Sequence, residues 1–233
     1  MDVSVVFGLL GNIVASLLFL SPLDTFWRIV KNRSTEDFES IPYIVLLLNA
    51  SLWTYYGIIK PVVLLVTING FGSLMMVVYI TIFIIFAPRK MKVKTVALAV
   101  VLNVGFLAGV ILVTRLTMDK QAQVNTIGTL CVCVTIISFG SPLAIIKTVV
   151  TTKSVEFMPF FLTFFYFLVG TMWSIYALLV HDTFILIPNG IGFFLGVAQL
   201  VLYAWYRIPR ASKSANGTLE EGGQHEQLIA HSE

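Results

Sequence analysis

The chain has 233 residues, 58% apolar and only 12% charged, with a net charge of +3 and a mean hydropathy of +0.91. A soluble domain carries roughly 25% charged residues. This composition therefore excludes a water-soluble globular fold, and with it a nucleic-acid reading, which needs a basic face on such a domain.

Apolar runs long enough to cross a bilayer, about 20 residues each, occur at 5–27, 41–59, 63–86, 96–114, 125–147, 158–180 and 184–206. They predict an all-α membrane protein of seven transmembrane helices. The first run has no basic n-region, so it is not a removable signal peptide. Residues 209–233 are polar and rich in Ser, Gly, Glu and Gln. Such a segment buries too little apolar surface to fold alone and reads as a disordered tail. Twelve basic residues fall in loops on one side of these spans: Arg28, Lys31, Arg33, Arg89, Lys90, Lys92, Lys94, Lys147, Lys153, Arg207, Arg210 and Lys213. Only Lys60, Arg115 and Lys120 fall on the other. The positive-inside rule then predicts a cytosolic C-terminus. The glycosylation patterns at Asn32, Asn49 and Asn216 lie on the cytosolic side or inside a helix and are expected to stay unmodified. Cys131 and Cys133 are two apart on a helix, which points them to nearly opposite faces and argues against a disulfide or shared metal.

The chain repeats itself at a shift of 120 residues. Ser21-Pro22-Leu23 recurs as Ser141-Pro142-Leu143, Ser34 as Ser154, Trp53 as Trp173, Tyr56 as Tyr176, and Asn69, Gly70 and Gly72 as Asn189, Gly190 and Gly192. Apolar residues could coincide through composition, but Pro, Trp, Asn and Gly in one register could not. The first repeat spans 1–90, a linker with the unpaired fourth helix 91–122, and the second repeat 123–208. Three helices plus one linker bring the second copy into the membrane in the same orientation as the first. The repeats are thus parallel three-helix bundles in a 3+1+3 arrangement, the plan of a pseudo-symmetric carrier with its substrate between two halves.

Four prolines gather at one membrane depth: Pro22, Pro42, Pro142 and Pro159. A proline inside a helix removes a hydrogen bond and softens it, so these form a candidate hinge plane. Pro42 and Pro159 equally suit ordinary helix starts. Asn69 and Asn189 are candidate substrate contacts, because an amide both donates to and accepts from hydroxyls; helix-bridging asparagine is the competing explanation. Trp53 and Trp173 offer a flat apolar surface and one N–H donor, or serve as interfacial anchors. Asn49 precedes Trp53 by one turn and Leu18 precedes Pro22 by one turn; their counterparts are Val169 and Ser138. All four are candidate pocket residues or ordinary packing positions. Tyr56 and Asp182 lie near the non-cytosolic ends of their helices and are candidates for a gate there. No metal-ligand cluster, nucleophile–base set or phosphate loop is evident, so neither enzyme chemistry nor a cofactor is expected.

Several motifs in this order resemble the SWEET (nodulin/saliva) sugar transporters across about residues 5–208. They are Gly11-Asn12, Ser21-Pro22-Leu23, Lys31-Asn32-Arg33-Ser34-Thr35-Glu36, Trp53-Thr54-Tyr55-Tyr56-Gly57, Thr67-Ile68-Asn69-Gly70-Phe71-Gly72, Gly140-Ser141-Pro142-Leu143, Thr152-Lys153-Ser154-Val155-Glu156-Phe157-Met158-Pro159 and Pro188-Asn189-Gly190. The resemblance implies bundles packed in the order 1-3-2 and 5-7-6, with the fourth helix bridging them. It implies facilitated sugar diffusion by alternating access, with the Asn and Trp pairs at the sugar and the Tyr56–Asp182 pair closing the outer entrance. It also implies a tendency to homo-oligomers. Disaccharide carriers of the family tend to have small residues at the positions of Leu18, Asn49, Ser138 and Val169. The larger Leu18 and Asn49 here imply a monosaccharide pocket. The wording of Ser51-Leu52-Trp53-Thr54-Tyr55-Tyr56-Gly57 and the short acidic tail look like the plant subgroup at the vacuolar membrane that carries hexoses, fructose in particular; the plasma membrane is the alternative.

Other functions compete. A seven-helix receptor has no need of two kink-Trp-Asn sets, and a non-transporting binding module on a related architecture stays open. A proton-coupled carrier of the PQ-loop type needs a titratable group deep in the membrane, whereas Asp24, Glu156 and Asp182 fall near helix ends.

Overall fold

The computed structural model describes residues 2–207 with their side chains and 208–230 as backbone only; the tail read as disordered lies outside the fully described residues. Among the described residues there are seven helical spans long and apolar enough to cross a membrane. Within them the helices are α1 Val3–Leu20, α2 Leu23–Asn32, α3 Ile41–Ile59, α4 Val63–Phe86, α5 Arg89–Ala99, α6 Leu107–Thr117, α7 Lys120–Ser138, α8 Gly140–Thr152, α9 Phe160–Leu179 and α10 Thr183–Ala230. A π-helical segment, Val100–Phe106, joins α5 to α6.

Several helices run further than their apolar runs. The first span continues to Asn32, the fourth begins at Arg89 rather than 96, and the fifth covers 120–152. Hydropathy marks the part of a helix in hydrocarbon, while the helix itself extends into the headgroup layer on charged residues. The fourth-span helix thus starts two residues before the linker boundary expected at 91. Side-chain caps start two spans at the poorly charged end: Asp2 accepts from Ser4 N and Asp119 from Ala122 N. Aspartate satisfies first-turn amides and suits the positive end of the helix dipole.

Packing follows the repeat. In the first, α4 lies between α1 and α3; in the second, α10 lies between α7 and α9. The halves meet where α1 packs on α9 and α3 on α7, two contacts that exchange under the 120-residue shift. Close approach in each bundle uses a mirror glycine. A Cβ on Gly8 would stand 2.5 Å from Leu64 Cδ1, and one on Gly128 2.5 Å from Phe184 Cγ. The fourth span is fastened to the first repeat. Thr95 shares a buried 2.7 Å hydrogen bond with Ser40, Asn103 donates to the Ile44 carbonyl at 3.2 Å, and Thr114 bonds Tyr55 at 2.9 Å. It touches the second repeat where α6 meets α7. Exposed Leu, Ile, Val and Phe side chains cover the outside, the surface a bilayer solvates.

Candidate functional site: the seam between the repeats

The four prolines occupy two kinds of position. Pro22 stands at the break between α1 and α2, and Pro142 two residues into α8, just past the break at Phe139. Pro42 lies in the first turn of α3, and Pro159 is the N-cap of α9. The first pair interrupts spans and the second begins them. Carbonyls at the interruptions receive donors from the third span of each bundle. Tyr79 Oη donates to Phe19 O at 3.0 Å, and its mirror residue Gln199 reaches Pro142 O through Nε2 at 3.4 Å.

Midway along the seam the asparagines behave identically. Asn69 Nδ2 donates to Leu65 O at 3.0 Å and Asn189 Nδ2 to Ile185 O at 2.8 Å, each one turn back on its own helix. Both are half-buried, and neither amide oxygen has a hydrogen-bond partner among the described residues. Each Asn therefore presents an acceptor and retains one N–H, the complement of a hydroxyl.

The tryptophans are buried and matched by tyrosines: Trp53 packs edge-on to Tyr56 at 5.6 Å and Trp173 on Tyr176 at 5.2 Å. Their indole N–H groups differ. Trp53 Nε1 donates to Thr135 Oγ1 at 3.0 Å, and Thr135 Oγ1 lies 2.9 Å from Asn49 Oδ1. Trp173 faces Gly11, where a Cβ would come within 2.9 Å of Nε1. Ala15 is the mirror of Thr135, so the second tryptophan has no matching hydroxyl. Of the other candidate pocket residues, Leu18 is half-buried, Ser138 bonds Val134 O on its own helix at 2.9 Å, and Val169 packs against the buried core that holds both tryptophans.

At the poorly charged end, Asp182 closes the seam. It is 1% exposed and precedes α10. Tyr56 Oη, on α3 of the other repeat, donates to its carboxylate at 3.0 Å, and Lys60 Nζ, from the C-cap of that helix, at 2.7 Å. Phe184 N and Ile185 N donate to Oδ1 at 3.1 and 3.3 Å. A buried carboxylate persists when a cation and hydrogen bonds satisfy it, and here four donors reach its two oxygens. Outside this contact opens a pocket of about 550 Å³, lined in part by Lys60, Lys120, Gln121 and His181.

Three of these residues escaped the sequence reading. Lys60 entered only as a loop charge, although it lies one turn past Tyr56 on the same face. Thr135 was legible as a polar residue in an apolar span opposite Ala15. Tyr79 had no signal, because its mirror is Gln199 and chemical identity is lost.

Comparison with known proteins places this arrangement. Residues 5–91 and 125–211 each match the family of sugar efflux transporters for intercellular exchange. The Bidirectional sugar transporter SWEET16 of Arabidopsis thaliana is 52% identical over 208 residues, covering 88% of this chain and 90% of that protein. The Bidirectional sugar transporter SWEET17 of the same plant is 49% identical over 221 residues, covering 94% and 92%. A solved structure of a eukaryotic SWEET transporter superposes with a TM-score of 0.84 at 40% identity, covering 87% of this chain and 96% of the other. A repeated three-helix unit, seven spans and this likeness along nearly the whole length lead to one assignment: the chain belongs to the SWEET family of sugar transporters.

Proposed function

We propose that the chain is a bidirectional, energy-independent uniporter of monosaccharides, hexoses such as fructose or glucose, working by alternating access. One observation carries the reading. Among the described residues, every side-chain hydrogen bond between the repeats involves α3 or its C-cap, at Asn49, Trp53, Tyr56 or Lys60, toward the poorly charged end. None starts from Ile41 to Leu48. Hydrogen bonds thus join the halves toward one end of α3 and not from its other half, a one-sided arrangement that supports the alternating-access reading. Asn69, Asn189, Trp53 and Trp173 supply the sugar contacts, with Leu18, Asn49, Ser138 and Val169 shaping the space beside them. Tyr56 and Asp182, joined by Lys60, form the outer gate, and the prolines form the hinge. The bias of basic residues puts the joined end outside the cytosol. Relatives named as bidirectional sugar transporters support movement in both directions, and the likeness to the vacuolar subgroup supports that membrane.

Millimolar binding is about −4 kcal/mol, which a few hydroxyl contacts and an indole face can supply while still releasing the sugar. Uptake of labelled fructose, glucose and sucrose into proteoliposomes tests the substrate. Loss of one amide contact worth about 1–3 kcal/mol should cut flux about 5- to 150-fold in Asn69→Ala and in Asn189→Ala, with normal amounts of protein in the membrane. Full flux in both variants would remove the pocket assignment. Collapse of a pH gradient should leave uptake unchanged; a large drop would establish proton coupling.

A further inference from the structure

The basic residues that open the fourth span are more than an address label. Arg89, Lys90, Lys92 and Lys94 fall within the first six residues of α5, whose first turn holds no acid. This is the positive end of the helix dipole, where cations are disfavoured. Of these four cations, Lys94 alone has a carboxylate of a described residue within 4 Å, Glu39 at 3.9 Å. Positive charge is thus concentrated where the helix backbone opposes it, with almost no counter-charge beside it among the described residues.

The direction of the patch identifies the partner. Arg89, Val93, Val96 and Val100 succeed one another at helical spacing on one face, and the valines are 63%, 40% and 53% exposed. Lys90, Lys94, Ala97 and Val101 make a second exposed stripe beside it. The face that meets acyl chains therefore ends in cations at its first turn, the depth of the phosphate layer. A protein partner would have to displace lipid from the same stripe, whereas a phospholipid satisfies both parts with one molecule. Orientation alone asks only for basic residues somewhere in the loop; it does not ask for them on the lipid-facing side of a helix.

We propose that the first turns of α5 bind the phosphate headgroups of anionic phospholipids. The position gives such a lipid mechanical leverage. Thr95, next to Lys94, shares its buried hydrogen bond with Ser40, the N-cap residue of α3 two positions before Pro42. Lys94 reaches Glu39 in the same loop. A headgroup held by α5 steadies the start of the helix that carries Asn49, Trp53, Tyr56 and Lys60.

The test uses the full-length transporter in detergent, titrated with phosphatidylserine, with phosphatidylcholine, and with soluble glycerophosphoserine. Thermal unfolding and lipid retention in native mass spectra are the readouts. Phosphatidylserine should raise Tm and be retained, while phosphatidylcholine and the soluble headgroup should do neither. Each cation removed should weaken retention about fivefold. Lys90→Gln alone tests this with the remaining charges in place, and Arg89→Gln/Lys90→Gln/Lys92→Gln should abolish the effect. Lys90→Arg/Lys92→Arg should retain it. Undiminished retention in Lys90→Gln and in the triple variant would overturn the proposal. So would an equal response to soluble glycerophosphoserine, which would make this a free-phosphate site. A phosphatidylserine effect that appears only after residues 209–233 are deleted would assign the patch to the acidic tail and overturn it as well.

Discussion

In the first repeat the break at Ser21–Pro22 lies under a packed aromatic cluster. Tyr79 stacks on Phe26 at 4.4 Å, Tyr43 meets Phe26 edge-on at 4.9 Å, and Tyr79 Oη holds the Phe19 carbonyl. In the second, α8 buries only Val149, and Gln199, the mirror of Tyr79, reaches a carbonyl three residues further along, Pro142 O, at 3.4 Å. The backbone plan is nevertheless shared: Arg33 and Lys153, 120 residues apart, both end their helices with φ near 50°. Two copies of one bundle thus keep the geometry of the kink and differ in what surrounds it. On the proposed alternating-access reading, the second break, with fewer buried contacts around it, should be the softer of the two.

The largest test of this comparison removes the ion pair that joins the halves at the poorly charged end. Asp182→Asn keeps the shape and removes the charge that Lys60 and Tyr56 hold. Breaking a buried, hydrogen-bonded ion pair costs about 3–5 kcal/mol; because Lys60 is partly exposed, about 2 kcal/mol is expected here. Tm in detergent should fall by several degrees, and spin labels at Ile58 and Leu179 should move apart. An unchanged label distance would mean that apolar packing, not this pair, holds the halves together at this end.

A smaller effect separates the two tryptophans. Thr135→Val removes the hydroxyl between Trp53 and Asn49 and leaves a buried indole N–H and amide oxygen short of a partner. About 1–2 kcal/mol of stability should be lost, and the ratio of glucose to fructose flux should shift. Thr135→Ser should restore both. Ala15→Ser, at the mirror position, should add a partner for Trp173 and leave Trp53 untouched. If Thr135→Val alters neither stability nor selectivity, the asymmetry between the halves is without consequence.

How far the sequence disclosed this arrangement depended on whether chemistry survived duplication. The 120-residue echo located Pro22 with Pro142, Trp53 with Trp173 and Asn69 with Asn189, because both copies kept the residue. Asp182 was visible through its place at a helix end, but the mirror of its site is Val62, so nothing in the repeat announced Lys60 as its third partner. Tyr79 and Gln199 each donate to a carbonyl near the break of their own repeat, but with different atoms and at carbonyls that are not mirror positions, which a comparison of residue types cannot register. The fourth span has no copy at all. Its π-helical segment and its fastening through Asn103 follow from three-dimensional packing that hydropathy does not encode.

Tyr79→Phe and Gln199→Leu sharpen the contrast between the hinges. The tyrosine hydroxyl makes a 3.0 Å bond to a carbonyl in a buried cluster, so its loss should cost about 1 kcal/mol. The glutamine contact is longer, and its loss should cost less than half as much. Hydrogen exchange should rise around Phe19 in the first variant and little around Pro142 in the second. Equal responses would show that the two kinks are equally stiff, contrary to their surroundings.

The least effect is expected in the loops after the kinks, where the copies again diverge. Glu36 N bonds Ser34 Oγ, and Glu156 N bonds Ser154 Oγ in the mirror loop. Only Glu36 has partners for its carboxylate: Asn32 Nδ2 at 2.8 Å and Arg28, which the second copy replaces with Thr152 and Thr148. The Asn32 hydrogen bond, and then that of Arg28, hold the Glu36 carboxyl below its ordinary value of 4.5. A group with a depressed folded-state pKa stabilises fully above its unfolded value and loses that contribution as pH falls through the folded value. The first loop should therefore keep its order down to about pH 4.5 and loosen below it. Glu36→Gln should already be loosened at neutral pH, with no further change from this contact on acidification. Amide exchange at 33–38 against 153–158 reads the difference within one molecule. Acid loosening of both loops alike would show that the shared serine turn, rather than the Arg28–Asn32–Glu36 cluster, sets the order of this surface.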